Sequence, residues 1–209
     1  MTASIETLFF PGPEGRLEGL WKDAAAPRKG GALFAHPHPL FGGTLHNKVV
    51  YRAARALVEN GWATLRFNFR GVGLSEGTHD EGRGETLDVL AAADEVERRT
   101  GGPLVTGGFS FGSAAALRAA AGDGRVAAFI GVGLPVATDS IRQTARPAVP
   151  ALFVVGEEDT YGPPDLLREF VGRSGAVVVV PRTGHFFEGK LPELEAVVGS
   201  FLRGLSVPS

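Results

Sequence analysis

The sequence predicts an α/β fold built on a mostly parallel sheet. Two observations carry that expectation. From about residue 31 onward, strand-like apolar runs alternate with segments of helical periodicity, the signature of repeated β–α–β units with right-handed crossovers. Several of the runs, such as 103–109 (PLVTGGF), 150–155 (PALFVV) and 176–180 (AVVVV), are apolar nearly throughout, as strands covered on both faces must be. A length of 209 residues with 44% hydrophobic and 21% charged side chains suits one domain, 1–209, with a core of useful size. No repeat, low-complexity stretch or linker divides the chain.

The elements follow in order. Residues 5–10 (IETLFF) and 16–22 (RLEGLWK) read as two strands joined by the Pro-Gly turn at 11–15. Residues 31–36 (GALFAH) form a third strand. A helix over about 46–60 places Val50, Ala53, Ala54, Leu57 and Val58 on one face, and Asn60-Gly61 closes it. Residues 62–69 (WATLRFNF) are the next strand, 71–84 a glycine-rich loop, and 85–99 a helix through Leu87, Leu90, Ala93 and Val96. The alternation then continues: strand 103–109, helix 111–121, strand 126–133, a polar segment 138–148, strand 150–155, helix 163–173, strand 176–180 and helix 192–204. The 134–149 stretch leaves little room for a cap over the sheet, so the expected pocket is shallow or open.

Composition removes several functional classes. A net charge of -2 gives no electrostatic reason to bind nucleic acid or an anionic membrane. The arginines at 52, 55, 98, 99 and 168 are scattered and read as solvated helix faces. With no cysteine, disulfides, thiolate catalysis and thiolate metal sites are excluded. Met1 to Pro13 has neither a basic start nor a long apolar segment, and no apolar stretch approaches a membrane span. The expectation is a cytoplasmic protein with no cofactor.

The chemistry concentrates at Gly108-Phe109-Ser110-Phe111-Gly112. With 30 glycines in the chain, chance alone yields about 0.2 such G-x-S-x-G patterns, so context decides. Here a strand precedes and a helix follows, the sharp turn that lifts a serine clear of a sheet. Glycines two before and two after the serine are expected where side chains would clash. Serine needs a base and an orienting acid. Strand 150–155 ends in Gly156-Glu157-Glu158-Asp159, and strand 176–180 leads to Gly184-His185. Ser110, Asp159, His185 is one of the established orders of such a triad along a chain, with Glu157 and Glu158 as neighbouring alternatives for the acid. An oxyanion hole would use the Phe111 N–H and one from the loop His36-Pro37-His38-Pro39. The prolines have no N–H, which leaves His38, favoured, or Leu40. His36 reads chiefly as a loop anchor.

Together, HPHPLFGG (36–43), NFRGVGLSEG (68–77), GFSFG (108–112), GEEDT (156–160) and GHFF (184–187) resemble the α/β-hydrolase superfamily over nearly the whole chain. They are most similar to small, cap-poor bacterial serine hydrolases related to dienelactone hydrolases and short carboxylesterases. The resemblance implies a three-layer fold with roughly eight strands, helices on both faces and a minimal cap. It assigns the nucleophile to Ser110, the acid to Asp159, the base to His185 and the oxyanion donors to His38 and Phe111. Pro37 replaces the glycine of the usual His-Gly-X-Pro loop, and without cysteine the dienelactone hydrolase activity itself is not implied. The expected activity is cleavage of carboxylic esters or thioesters through an acyl-serine, on a small-molecule acyl substrate, with a homodimer as one way to cover an open pocket. A peptidase or amidase of the same fold is the alternative; a metal-dependent hydrolase using His36 and His38 is a distant one. Gly71-Val72-Gly73 does not extend to a dinucleotide fingerprint, because position 76 is Glu. Phe41, Phe111, Phe186 and Phe187 are expected to form an apolar rim.

Overall fold

The computed structural model describes residues 4–24 and 27–206; the first three residues of the N-terminal stretch read for a leader lie outside them. Eight strands form one sheet in the order β1-β2-β4-β3-β5-β6-β7-β8. They are β1 (Ile5–Gly12), β2 (Gly15–Lys22), β3 (Gly30–Ala35), β4 (Trp62–Phe67), β5 (Leu104–Phe109), β6 (Val126–Val132), β7 (Ala151–Gly156) and β8 (Ala176–Val180). The helices are α1 (Lys48–Glu59), α2 (Arg83–Thr100), α3 (Phe111–Ala120), α4 (Asp139–Arg142), α5 (Pro164–Val171) and α6 (Leu191–Gly204). Strands from β4 and β3 through β8 pair parallel. β2 runs against both of its neighbours.

Burial explains the sequence pattern. In β3, β4, β5 and β7 every residue is buried, because helices cover both faces. Val49, Val50, Ala53 and Leu57 of α1 pack with Leu194, Val198 and Leu202 of α6 on Phe34, Val105, Ile130 and Val154. Val89, Ala93 and Val96 of α2, Ala115 to Leu117 of α3 and Leu167 and Phe170 of α5 cover the other face. β1, at the sheet edge, alternates instead: Leu8 and Phe10 point inward while Ile5 and Phe9 are exposed, the period of a half-solvated strand.

Element boundaries shift for identifiable reasons. The strand expected over 62–69 stops at Phe67: the Asn68 N–H makes one last bond to Glu18 O of β2 (2.9 Å), and the Phe69 N–H then leaves the ladder for His36 Nε2 (3.1 Å). The helix expected from 46 begins at Lys48, since Asn47 caps it by accepting from the Val49 N–H at 2.9 Å. The polar segment 138–148 contains the single turn α4, which buries Ile141. The scattered helix arginines pair with nearby acids, Arg52 with Glu195, Arg98 with the buried Glu95 and Arg168 with the exposed Asp165. Among the described residues, no helix is long and apolar enough to cross a membrane.

The 68–77 motif is a brace. Asn68 accepts the Leu45 N–H (2.9 Å) and donates to Glu18 (2.7 Å). Arg70, almost fully buried, donates to Asp88 through Nε (3.0 Å) and Nη2 (2.8 Å), to Gly84 O (2.8 Å) and to Glu14 (2.8 Å). The hydrogen bonds it donates to Asp88 hold the Arg70 guanidinium above its ordinary pKa. This fork ties the start of the 71–84 loop to α2 and the β1–β2 turn. Removing one partner of a buried ion pair leaves the other charge uncompensated, which costs about 3–5 kcal/mol. Asp88→Ala is therefore expected to lower unfolding stability by that amount in urea denaturation; a loss under about 1 kcal/mol would show that Arg70 is not the brace.

Candidate active site

The chain runs from β3 outward to β4, then returns past β3 to add β5 on its other side. Such a reversal of strand order leaves a crevice at the carboxyl edge, where successive loops diverge to opposite faces. The loops after β3 and β5 border it, and those after β7 and β8 reach it from one side.

Ser110 sits between β5 and α3 with φ 54° and ψ −121°, a conformation that costs a side-chain-bearing residue roughly 1–3 kcal/mol. Neighbours enforce it. The Ser110 N–H donates to Val132 O (2.9 Å), and the Ser110 carbonyl accepts from the Ser113 N–H (2.9 Å) and the Ser113 hydroxyl (2.6 Å). The glycine expectation holds, with one correction. A Cβ at Gly108 would stand 2.4 Å from the Gly112 carbonyl carbon, but a Cβ at Gly112 would meet His36 O at 2.3 Å and Ala35 O at 2.6 Å. Gly108 is thus demanded by Gly112, and Gly112 is demanded first by the end of β3.

The three polar side chains chosen from sequence meet here. His185 Nε2 lies 2.8 Å from Ser110 Oγ, and His185 Nδ1 lies 2.8 Å from Asp159 Oδ2. Asp159 and His185 are both buried. The second oxygen, Asp159 Oδ1, accepts the N–H groups of Tyr161 (2.9 Å) and Gly162 (3.0 Å). An ionised carboxylate can only accept, so Nδ1 carries the ring proton and Nε2 is left bare toward the serine. The neighbouring acids are elsewhere: Glu157 accepts the Arg182 N–H (2.8 Å), and Glu158 is exposed.

Sequence reading missed what holds the imidazole. Its ring is flanked by Tyr161, with centroids 4.6 Å apart, Phe109 at 5.1 Å and Phe186 at 5.2 Å. Below it lies Gly133 with φ 55°, where a Cβ would stand 3.0 Å from His185 Cε1. A glycine directly after an apolar strand, level with the serine turn, was the available signal.

The loop after β3 separates its histidines. His36 is fully buried. Its Nδ1 lies 2.6 Å from Pro37 O, and its Nε2 accepts the Phe69 N–H at 3.1 Å. Both ring nitrogens are engaged, which makes His36 an anchor and leaves no lone pair for a metal. Burial lowers its pKa to about 4, consistent with a neutral ring in those bonds. His38 lies over the cleft, its ring 4.8 Å from Phe111 and 5.1 Å from His79; burial, then the nearby His79, lower its pKa. Among the described residues, the main-chain N–H groups of His38 and Phe111 have no acceptor, while the Leu40 N–H turns to His38 Nδ1 at 3.3 Å.

Around Ser110 opens a cleft of about 510 Å³, walled by Phe41, Phe111, Ile141, Tyr161 and Phe186, with Arg118 also on its lining. Phe41 and Phe186 are exposed at its mouth. Phe187 is the exception to the expected rim: it is fully buried and packs in the α1/α6 core. The backbone turns over at Phe187, with φ 55°, and sends its ring inward while Phe186 faces out.

Set beside known proteins, residues 39–149, just over half of the chain, match the family model for the alpha/beta hydrolase fold. The chain belongs to the α/β-hydrolase family. The matched stretch includes Ser110 and stops before Asp159 and His185. The uncharacterized protein RP471 of Rickettsia prowazekii is 34% identical over 93% of this chain and 87% of its own length. An α/β serine hydrolase homologue from Coxiella burnetii superimposes with a TM-score of 0.88 at 36% identity, over 96% of this chain and 97% of that one. XC6422 of Xanthomonas campestris, described as an α/β serine hydrolase without a lid, superimposes with a TM-score of 0.88 at 32% identity, over 100% and 99%. Among its described residues this α/β-hydrolase likewise shows no large cap: α4 is the helix between β6 and β7.

Gly112→Ala, whose Cβ would collide with carbonyls that cannot swing aside, is expected to lower stability by about 1–3 kcal/mol, read as a fall in Tm. Gly122→Ala, where a Cβ meets nothing within 4 Å, serves as the neutral control.

Proposed function

We propose that the protein is a serine hydrolase of carboxylic esters that works through an acyl-serine intermediate. The observation that carries this reading is the continuous chain Asp159–His185–Ser110, with both links at 2.8 Å, beside two free N–H groups. His185 Nε2 takes the Ser110 proton as Oγ adds to the ester carbonyl, and the imidazolium that forms is held by Asp159. The N–H groups of His38 and Phe111 receive the developing oxyanion. Collapse expels the alkoxide, which takes the proton from His185; water then repeats the cycle and frees the acid from Ser110. The start of α3 adds its positive dipole end at the same place.

Esters are favoured over peptides by the shape of the cleft. Peptide substrates are commonly held by main-chain pairing along a strand edge, and Ser110 stands at strand ends among aromatic and aliphatic walls. Such walls suit an acyl group, and a thioester would place its carbonyl identically. A lone leaving alkoxide also needs less help to depart than an amine.

Ser110→Ala and His185→Ala are each expected to reduce hydrolysis of 4-nitrophenyl butyrate by at least about 10³-fold, with unchanged circular dichroism. Glu158→Ala is expected to stay within about twofold of wild type. Near-wild-type turnover by the Ser110 variant would overturn the mechanism. Faster cleavage of the butyryl anilide than of the butyryl ester would replace the esterase reading with an amidase one.

A further inference from the structure

Arg118 stands out within the cleft. It is half-buried on the wall that begins at Phe111, yet among the described residues no carboxylate or carbonyl accepts from its guanidinium, unlike Arg70, Arg99 and Arg125, which bind two or more acceptors each. The absence of a partner has a cost: burial alone pulls its pKa down.

The side chain also reaches in a useful direction. Ala114 and Arg118 are four apart on α3 and both line the cleft, so they share the helix face that Ser110 begins. Long helical side chains lean toward the N-terminus, and Arg118 follows that rule: a Cβ at Gly82 would meet Arg118 Nη1 at 3.2 Å and Phe111 Cε2 at 3.6 Å. The guanidinium therefore lies back beside the Phe111 ring. Glu81, the acid that also lines the cleft, has its carboxylate 3.9 Å from Arg83, and among the described residues it forms no ion pair with Arg118.

We propose that Arg118 is a specificity-determining residue that binds a carboxylate on the acyl part of the substrate, making hemi-esters of short dicarboxylic acids the preferred substrates. The side of the cleft follows from the acyl-serine reading on which this rests. The leaving oxygen must sit against His185, on the β8 side of Ser110. The acyl group that stays on Oγ points the other way, toward Phe111 and Arg118. A planar guanidinium suits a carboxylate there because it donates two parallel hydrogen bonds. The second carboxylate undergoes no chemistry; it fixes the carbonyl over Ser110.

The test compares mono-4-nitrophenyl glutarate with 4-nitrophenyl valerate, of equal chain length, on wild type, R118Q and R118K. Wild type is expected to favour the glutarate in kcat/KM, R118Q to lose that preference by about 10- to 100-fold, mainly in KM, and R118K to recover part of it. Equal wild-type kcat/KM for the two esters, or an unchanged ratio in R118Q, overturns the proposal. A readout without turnover separates this from the acyl-serine reading: binding of monomethyl glutarate and methyl valerate to Ser110→Ala protein, with and without R118Q, followed by NMR titration. Tighter binding of the glutarate that R118Q abolishes supports Arg118 even if neither nitrophenyl ester is cleaved; equal binding of both sinks it.

Discussion

The carboxyl edge of the sheet depends on how tightly the start of α3 is pressed against the end of β3. Gly112 lies so close to the His36 and Ala35 carbonyls that not even a methyl group fits. That approach forces the chain to turn between Phe109 and Phe111, and the turn leaves Ser110 at positive φ with its side chain projecting from the sheet. It also brings two separate main-chain segments side by side. The head of α3, with the Phe111 N–H, and the loop after β3, with the His38 N–H, are neighbours because the backbones touch at Gly112. Relax the contact by an ångström and both the serine and the pair of donors lose their alignment, which is why pre-set geometry outweighs any single hydrogen bond here.

The sequence made much of this legible, and unevenly. Continuous apolar runs marked the central strands because both of their faces are covered. Ser110, Asp159 and His185 were readable because catalytic groups must follow strand ends, a constraint that is local in sequence. Among three adjacent acids, Asp159 could be preferred but not singled out: the choice is made by two N–H donors, from Tyr161 and Gly162, that appear only once the loop has folded. Gly133 and Tyr161, which pack on His185, escaped notice for a similar reason. Their meaning comes from neighbours 52 and 24 positions along the chain, and no periodicity encodes such pairings. Phe186 and Phe187 looked equivalent as adjacent aromatics, yet a left-handed residue sends one to solvent and the other to the core.

The motif at 68–77 carries a different lesson. Its residues look functional as a group, being polar, glycine-rich and next to the site. In the fold they spend their hydrogen bonds on each other and on the scaffold: Asn68 on Leu45 and Glu18, Ser75 on Asn68, Arg70 on Asp88 and Glu14. The contrast with Arg118 is informative. A buried arginine with all three guanidinium nitrogens engaged stabilises a loop, whereas a half-buried one left without an acceptor in a cleft is a place where something else completes the shell.

The short β6–β7 connection has a consequence for turnover. An enzyme that closes a flap over its substrate must also open it, and that motion often sets the ceiling on its rate. Among the described residues this crossing holds only one helical turn, and no such gate is built there between solvent and Ser110. On the proposed mechanism, water would reach an acylated Ser110 without a rearrangement, and hydrolysis would have a constant supply of its second reactant. The same openness means that selectivity cannot come from enclosure, and discrimination falls to the few fixed side chains on the cleft floor and walls.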